Sequence, residues 1–431
     1  NIDNMLKIYI ESYGCSASQA ESEIMAGLLN EAKFDIVKNE NEANLIIIVT
    51  CYVKSSTEQK ILFRIRELQE LYPEKKLIIA GCMPEGIYNK LIKIAPKVSL
   101  VSTHHIKEIV KAVQKTLEEK RVEYLGKSKE IKLCLPKIRK NPIINIVPIS
   151  SGCNSACSYC CVKFAKGGLF SYPVEIIIKE IENSLREGCK EIWLTAQDTA
   201  SYGLDLGNFY LPTLLKEIAK IPNNFFVRVG MMNPKNVLKI LSDLIEAYKS
   251  KKIYKFLHLP VQSGDDEILE KMNRNYKVKD FEMIVKEFKK NFKFQLWTDI
   301  IAGYPGESEE QFKNTINLIK KIKPDYVNIS KFGARPKTEA SKLKPLPSKI
   351  VKERSEIVSS IAKEIFLEKN KEWLNWEGET LVSEIGKKPN QYIGRNFAYK
   401  PILIESKENI LGRLINVKIY DFTSTYLIGK T

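Results

Sequence analysis

Short apolar runs alternate with amphipathic stretches along most of this 431-residue chain, and this alternation limits the possible fold more than any other feature. Strands that alternate with helices pair in parallel and carry helices on both faces of the sheet. We therefore expect an α/β protein whose first domain, residues 1–125, is a doubly wound parallel sheet. Its predicted strands are residues 6–13, 45–50 and 77–80, and its clearest predicted helices are residues 20–34 and 56–71.

The same alternation repeats six times in the middle of the chain, which is the predicted second domain, residues 140–370. Six βα units predict an open, partial (β/α)6 version of the (β/α)8 barrel. Barrels of this kind carry their chemistry at the carboxyl ends of the strands. The predicted strands are residues 143–149, 191–195, 225–230, 255–259, 295–301 and 325–330.

The composition changes after a long predicted helix, residues 348–373. Four short strands with intervening turns are predicted there, at residues 379–385, 398–405, 411–419 and 424–428. Such a pattern indicates a small all-β module. It forms the predicted third domain, residues 371–431.

The net charge of the chain is +16, with a pI near 9.2. A basic excess of this size favours a polyanionic partner, most plausibly nucleic acid, although solvated surface lysines would give the same total. The excess is concentrated in residues 127–140 and 331–354, which lie between predicted domains. An extended polyanion is therefore expected to lie across these two basic stretches.

Nine cysteines are present, and their odd number in a chain of this length argues against a secreted disulfide framework. No apolar run approaches the ~20 residues of a membrane span, and the first residues lack the apolar segment of a signal peptide. We therefore expect a cytoplasmic protein without a membrane partner. In a reducing compartment, clustered cysteines are more often metal ligands than disulfides.

Three cysteines, Cys153, Cys157 and Cys160, share one short loop after the first strand of the predicted barrel. Their spacing is C-x3-C-x2-C, and Tyr159 precedes the third cysteine. Three thiolates so arranged can hold three irons of a four-iron cluster and leave the fourth iron open to a substrate or cofactor. A zinc site and a disulfide knot are the alternatives, but zinc sites usually pair two Cys-x2-Cys units.

A second set of cysteines, Cys15, Cys51 and Cys82, follows the three predicted strands of the first domain. The carboxyl ends of parallel strands form the edge at which such sheets bind ligands. Three ligands from three loops could hold a second iron–sulfur cluster, again with one open iron. The alternative is that these are buried structural cysteines, because free cysteine is often part of a core.

Other polar residues also fall at the predicted strand ends. Gln197 and Gln262 follow the second and fourth barrel strands and offer amide donors and acceptors near a cluster-bound cofactor, although each could be a surface turn residue. His258 ends a barrel strand and is expected to line the cavity. Cys161 adjoins Cys160, and adjacent side chains point apart, so we do not expect it to bind the same cluster.

Short motifs along the whole chain resemble the radical S-adenosylmethionine (SAM) methylthiotransferase family. Around the first three cysteines the chain reads Tyr13-Gly14-Cys15, Thr50-Cys51-Tyr52-Val53-Lys54 and Gly81-Cys82-Met83-Pro84. The Cys153 loop, Gln197-Asp198-Thr199, Pro260-Val261-Gln262-Ser263-Gly264 and Gly303-Tyr304-Pro305-Gly306-Glu307 resemble the family's catalytic domain. Gly394-Arg395-Asn396 and Tyr399-Lys400-Pro401 resemble a TRAM domain, a small β-barrel that binds tRNA.

The resemblance implies two 4Fe–4S clusters, one on each cysteine set, with SAM bound at the Cys153 cluster. It makes Cys153, Cys157 and Cys160 the catalytic set and Tyr159, Gln197 and Gln262 the expected SAM contacts. It also implies a central radical SAM barrel, a tRNA anticodon loop as partner and an electron donor of unknown identity. We expect a monomer.

Two departures from the bacterial pattern indicate the branch. Ser18 and Glu21 replace an Asn and an Asp, and Lys166-Gly167-Gly168 with Ser171-Tyr172-Pro173 replaces Arg-Gly and Ser-Arg. The Ser-Tyr-Pro segment resembles the archaeal and eukaryotic branch, which implies methylthiolation of carbon 2 of N6-threonylcarbamoyladenosine at position 37 of tRNA. Another tRNA adenosine derivative, a ribosomal-protein side chain, or a non-enzymatic RNA-binding role are the alternatives.

Overall fold

The structure is a computed structural model that describes residues 6–431, so residues 1–5 of the predicted first domain lie outside the described residues. The first unit alternates strands and helices along the chain. Its elements are β1 (Lys7–Ser12), α1 (Ser16–Glu31), β2 (Asp35–Val37), β3 (Leu45–Thr50), α2 (Ser55–Leu71), β4 (Lys76–Gly81), α3 (Met83–Gly86), α4 (Tyr88–Ile94), β5 (Ser99–Ser102), α5 (Ile109–Leu117) and β6 (Glu123–Tyr124).

These six strands form one parallel sheet in the order β2-β1-β3-β4-β5-β6. Strand β3 shows why helices cover both faces, because all six of its residues are buried. Ile46 and Ile48 belong to the core beneath α2 and α4, whereas Ile47 and Val49 belong to the core beneath α1 and α5. The expected doubly wound sheet is confirmed.

The middle unit repeats the same alternation. Its elements are β7 (Ile144–Pro148), β8 (Ser150–Ser151), α6 (Val162–Lys166), β9 (Phe170–Ser171), α7 (Val174–Arg186), β10 (Glu191–Thr195), α8 (Leu211–Lys220), β11 (Phe226–Val229), α9 (Pro234–Tyr248), β12 (Phe256–His258), α10 (Asp266–Lys271), α11 (Val278–Asn291), β13 (Gln295–Ala302), α12 (Glu309–Ile322) and β14 (Tyr326–Lys331).

Six of these strands build a partial barrel from two parallel three-stranded sheets, β11-β10-β7 and β12-β13-β14. A single parallel bridge between Val227 and Ile253 joins the two sheets. Among the described residues β7 and β14 do not pair, so the barrel is open on that side. The expected partial (β/α)6 barrel is confirmed.

The last unit is a closed five-stranded barrel that follows the long helix α13 (Ser348–Lys371). The sequence predicts only four strands and misses Gln391–Arg395. Its Gly394 pairs with Val382, and a Cβ there would lie 2.4 Å from the Thr380 methyl group, so only glycine fits. The strands are β15 (Glu377–Ile385), β16 (Gln391–Arg395), β17 (Pro401–Glu405), β18 (Leu414–Phe422) and β19 (Leu427–Lys430).

This small barrel packs against the amino-terminal end of the partial barrel through the loop between β16 and β17. Lys255 donates its backbone N–H to the Phe397 carbonyl at 2.7 Å, and the Tyr399 ring packs on Phe256 at 5.1 Å between centroids. Lys400 forms an ion pair of 2.7 Å with Asp325, with both side chains almost fully buried. A buried charge is costly unless it is paired. The Lys400–Asp325 ion pair therefore fixes the small barrel against the partial barrel.

Several cations of the two basic stretches are buried in ion pairs and cannot contact a polyanion. Lys132 pairs with Glu21, Lys137 with Glu180, Arg335 with Glu58 and Arg354 with Glu307. The expectation that these stretches face a polyanion throughout is therefore wrong for these four residues. Exposed cations remain, among them Lys342 and Lys344.

Within residues 6–431, no helix combines the length and the apolar composition that crossing a membrane requires.

Removing the buried cation that anchors the small barrel should destabilise the protein. Lys400→Met leaves the Asp325 carboxylate buried without its partner, and such a loss costs about 3–5 kcal/mol. We expect a lower urea midpoint for this unit, followed by the fluorescence of Trp373 and Trp376, which lie at the start of the small barrel. Lys349→Met removes an exposed lysine and should change stability by less than about 0.5 kcal/mol. Equal effects of the two changes would contradict the anchoring role.

Candidate metal centres

Cys15, Cys51 and Cys82 stand directly after β1, β3 and β4, three neighbouring strands of the first sheet. The strand order reverses between β1 and β3, and open α/β sheets bind ligands at such a switch point. The Cys15 and Cys51 thiols contact each other, and this hydrogen bond lowers the pKa of Cys15 to about 5. A Cβ on Gly14 would lie 2.7 Å from the Cys51 sulfur, so the glycine permits this close approach.

Two buried lysines and one glutamate lie beside this first triad. Lys132 and Lys166 each contact the same Glu21 oxygen, at 2.7 and 2.8 Å, and both also reach the Thr103 hydroxyl. Burial acts to lower the pKa of Lys166, but the negative charges of Cys82 and Glu21 raise it overall. Burial lowers the pKa of Lys132, and both lysines share this one carboxylate. An anionic group at the cysteines would give them a second partner of opposite charge.

The first triad therefore fits an iron–sulfur cluster. Three thiols converge from three strand ends, and the surrounding charge suits an anionic cluster. A cubane takes one thiolate on each of three irons rather than three thiolates on one ion. Among residues 6–431, no group of three or more His, Cys, Asp or Glu side chains is arranged to hold a single metal ion.

Cys153, Cys157 and Cys160 lie on the loop that leaves the carboxyl end of β7 and β8. The loop is held by its own backbone, because Cys153 donates its N–H to the Gly167 carbonyl and Cys160 donates to the Cys157 carbonyl, each at 3.1 Å. Burial, assisted by Cys157, raises the pKa of the Cys160 thiol to about 12. The three thiols are partly exposed on one short loop, and a bound metal favours their ionised form, so this triad also fits a cluster.

Arg274 is a candidate site residue that the sequence analysis missed. Its guanidinium donates to the Cys157 sulfur at 3.4 Å and to the Pro260 carbonyl at 3.0 Å, and its side chain is buried. No local sequence pattern marks Arg274, because its partners lie on the cysteine loop and on the segment after β12. Hydrogen bonds to cluster sulfurs tune reduction potentials, so Arg274 is placed to tune this centre.

The other predicted site residues lie at different places along the seam between the domains. The Tyr159 ring packs partly against Met272 and Tyr304. Gln197 lines a small cavity together with Lys132 and Lys166, and its buried Oε1 has no hydrogen-bond partner in the described structure.

Gln262 adopts a left-handed backbone, with φ of 73°, and its backbone N–H donates to Asp299 at 2.8 Å. This pairing continues the contact between the β12 and β13 segments beyond the strand ends. The Gln262 backbone is thereby fixed at the carboxyl ends of these strands.

A buried network ties the two triads together. Tyr52 follows Cys51, and Cys161 follows Cys160. The Cys161 thiol donates to the Tyr52 carbonyl at 3.1 Å, and Arg335 donates to the same carbonyl at 3.0 Å. Since adjacent Cα atoms are about 3.8 Å apart, the Cα atoms of Cys51 and Cys160 lie within roughly 16 Å of each other.

Comparison with known proteins is consistent with this arrangement. Residues 7–103 match the model of the uncharacterized protein family UPF0004, and residues 147–319 match the radical SAM superfamily. A protein of Methanothermobacter thermautotrophicus named "Probable threonylcarbamoyladenosine tRNA methylthiotransferase" is 42% identical, over 98% of this chain and 99% of its own length. A protein of the same name from Pyrococcus abyssi is 44% identical over 99% of both chains. The chain belongs to the threonylcarbamoyladenosine tRNA methylthiotransferase family.

The human threonylcarbamoyladenosine tRNA methylthiotransferase is 33% identical, over 100% of this chain and 74% of its own length. The family predicted from the sequence motifs is thus confirmed, and with it the prediction that the chain is an enzyme. Among solved structures, the radical SAM methyltransferase TsrM of Kitasatospora setae aligns with a TM-score of 0.59 at 13% identity, over 78% of this chain and 74% of that one. At this identity the likeness shows the fold alone.

Replacing Arg274 should shift the reduction potential of the cluster held by Cys153, Cys157 and Cys160, whereas replacing a nearby exposed residue should not. Arg274→Gln removes a positive charge and a hydrogen bond from the Cys157 sulfur, so the bound cluster should have a more negative reduction potential. Potentiometry followed by electron paramagnetic resonance (EPR) measures this shift, and iron analysis shows whether the cluster is retained. Lys271→Gln, on the exposed end of α10, is the control and should leave the potential unchanged. An unchanged potential in Arg274→Gln would remove this residue from the site.

Proposed function

We propose that this chain methylthiolates carbon 2 of N6-threonylcarbamoyladenosine at position 37 of tRNA, beside the anticodon. The observation that carries the proposal is the placement of two cysteine triads, from two different domains, on either side of one buried seam. The relatives' names support the reaction and the class of RNA. We place the domain boundaries at residues 1–125, 140–370 and 371–431.

The two triads would divide the work. Cys153, Cys157 and Cys160 would hold one 4Fe–4S cluster with SAM at its open iron. Cys15, Cys51 and Cys82 would hold a second 4Fe–4S cluster that carries the sulfur to be transferred. When bound, the cluster and SAM supply one-electron chemistry that breaks an unactivated C–H bond, which acid–base side chains cannot do.

The protein's own residues would bind and orient these groups. Gln197 brings an unpartnered amide oxygen to the seam. Gln262 would offer its side-chain amide from a backbone that β13 holds in place. Tyr159 would press its ring against SAM from the cysteine loop itself. Asp198 stays buried and accepts hydrogen bonds from Asn233 and Asn236, which keeps the loop after β10 rigid behind Gln197. Rigid support of this kind keeps reacting atoms aligned.

The tRNA would approach through its anticodon loop. RNA loops are recognised as unstacked bases together with their phosphate backbone, and a base must leave the loop to reach a buried seam. The exposed lysines after β14 and the small C-terminal barrel would contact the backbone. The electron would come from an external donor, and the enzyme is expected to act as a monomer in the cytoplasm.

Removing each triad separately should separate two activities. With Cys15, Cys51 and Cys82 changed to Ala, the reconstituted enzyme should retain about half of roughly eight irons and still cleave SAM, but make no methylthio product. With Cys153, Cys157 and Cys160 changed to Ala, both activities should be lost. Iron analysis, 5′-deoxyadenosine measurement and nucleoside mass spectrometry give the three readouts. Normal methylthio product from the first variant would mean that its cysteines are structural.

Binding of tRNA should depend on salt through the exposed lysines. Lys342→Gln with Lys344→Gln should flatten the slope of log K against log salt by roughly 0.7–0.9 for each lost phosphate contact. The matched control is Lys216→Gln with Lys220→Gln on α8, because Lys220 and Lys342 are equally exposed and each pairs with a glutamate three residues away. Equal slopes for the two double variants would show that Lys342 and Lys344 do not contact RNA.

A further inference from the structure

A guanidinium without a carboxylate partner lies inside the partial barrel. Arg228 is on β11, beside Trp193 of β10 in the register of the sheet, and its side chain is partly exposed. Its Nε is buried without a hydrogen-bond partner, and no carboxylate in residues 6–431 lies within ion-pair distance of it. An unpaired cation in such a place is costly unless an anion binds there.

Aromatic rings surround this guanidinium and close the floor beneath it. Its central carbon lies 5.0–6.0 Å from four ring centroids, those of Trp193, Phe256, Trp297 and Tyr399. Tyr399 comes from the C-terminal barrel, which covers this end of the partial barrel. A ligand therefore cannot enter from this end, and we expect it to approach Arg228 from the other end, where the strands finish and the cysteine loop begins.

A polar layer lies between Arg228 and the mouth of the barrel. His258 and Asp299 contact each other at 3.2 Å, and Lys54 of the first domain donates to Asn328 at 3.2 Å. The second oxygen of Asp299, Oδ1, is buried and has no hydrogen-bond partner. Two carboxylates lie near these cations. Glu191 on β10 accepts hydrogen bonds from Trp193 and Tyr254, whereas Asp299 keeps one oxygen free as an acceptor.

The depth of the lumen matches a substituent rather than a whole nucleotide. Strand residues rise about 3.3 Å each, so Arg228 lies roughly 7 Å below Gly230, at the end of β11. The N6 substituent of threonylcarbamoyladenosine is a urea that ends in a carboxylate and a hydroxyl. Its carboxylate would accept hydrogen bonds from the Arg228 guanidinium, and its hydroxyl or N–H would donate to the free Asp299 oxygen.

We propose that Arg228 binds the carboxylate of the substrate's threonyl group through a two-point contact, while Asp299 accepts a hydrogen bond from the same substituent. This assignment rests on the proposed function and names the part of the substrate that the enzyme reads. Arginine suits the role because its planar fork matches a carboxylate. Adenosine without the threonyl carboxylate leaves the cation unpaired, so Arg228 is a specificity-determining residue.

The test compares two anticodon stem-loop RNAs that differ in one group. One carries N6-threonylcarbamoyladenosine, and the other carries its carboxamide, which is neutral. The reconstituted wild-type enzyme should bind the acid about tenfold to a hundredfold more tightly than the amide, the range that one charge-assisted contact supplies. Fluorescence anisotropy measures binding, and nucleoside mass spectrometry measures kcat/KM for methylthiolation.

Arg228→Met should abolish the preference for the acid over the amide, with equal weak binding of both. The matched control is Arg186→Met, which removes an exposed guanidinium from the outside of the same barrel and should keep the preference. Iron content and SAM cleavage without RNA check that each variant is folded and loaded. If Arg228→Met does not fold, Arg228→Gln, which keeps a polar group at this position, provides the same comparison.

The outcomes separate this inference from the proposed function. If the wild type methylthiolates the acid RNA and the neutral Arg228 variants keep the wild-type preference for it, the inference is overturned and the proposed function stands. If the wild type forms no methylthio product on the acid RNA, the proposed function is wrong and the inference falls with it. Loss of the preference for the acid RNA in the Arg228 variants, with the preference kept in Arg186→Met, supports the carboxylate site.

Discussion

The buried contact of Glu21 with Lys132 and Lys166 is the interaction on which the rest of the site depends. Glu21 belongs to the first domain, Lys166 follows the second cysteine triad, and Lys132 comes from the segment between them. Each ion is almost fully buried, so each requires its partners. Because helix α1 carries both Cys15 at its start and Glu21 within it, this contact fixes the first triad against the loop of the second.

The same contact joins two of the residues that the sequence motifs set apart from the bacterial pattern. Glu21 and Lys166 pair directly at 2.8 Å. Lys166 also lies near the thiols of Cys82 and Cys15, where its charge would stabilise an anionic cluster.

The sequence predicted the fold well where one periodic pattern decides the structure. The six barrel strands and three of the six strands of the first sheet were predicted because apolar runs and helical spacing are local signals. The short strands β2, β5 and β6 were not predicted. Strand β16 was missed because Gly394 and its neighbours resemble a turn, whereas the packing of Thr380 across the barrel requires glycine there. The cysteine triads were found because three identical residues recur at strand ends, although their metal-binding roles stay predictions.

Pairings between distant residues could not be predicted in this way. Lys166 meets Glu21 across 145 positions of sequence, and Arg335 meets Tyr52 across 283. No local pattern distinguishes a buried cation from an exposed one, so the sequence could not separate the paired cations of the two basic stretches from the exposed ones. Arg274 and Arg228 escaped notice for the same reason, because their roles come from the cavity that surrounds them.

The central claim is that two clusters, one on each triad, lie close together across one seam. EPR of the fully reduced enzyme tests it most directly, with the two triple-alanine variants as references for each cluster alone. The account predicts that the wild-type spectrum shows magnetic coupling between the clusters and differs from the sum of the two reference spectra. A wild-type spectrum equal to that sum, or equal to one reference alone, would contradict it.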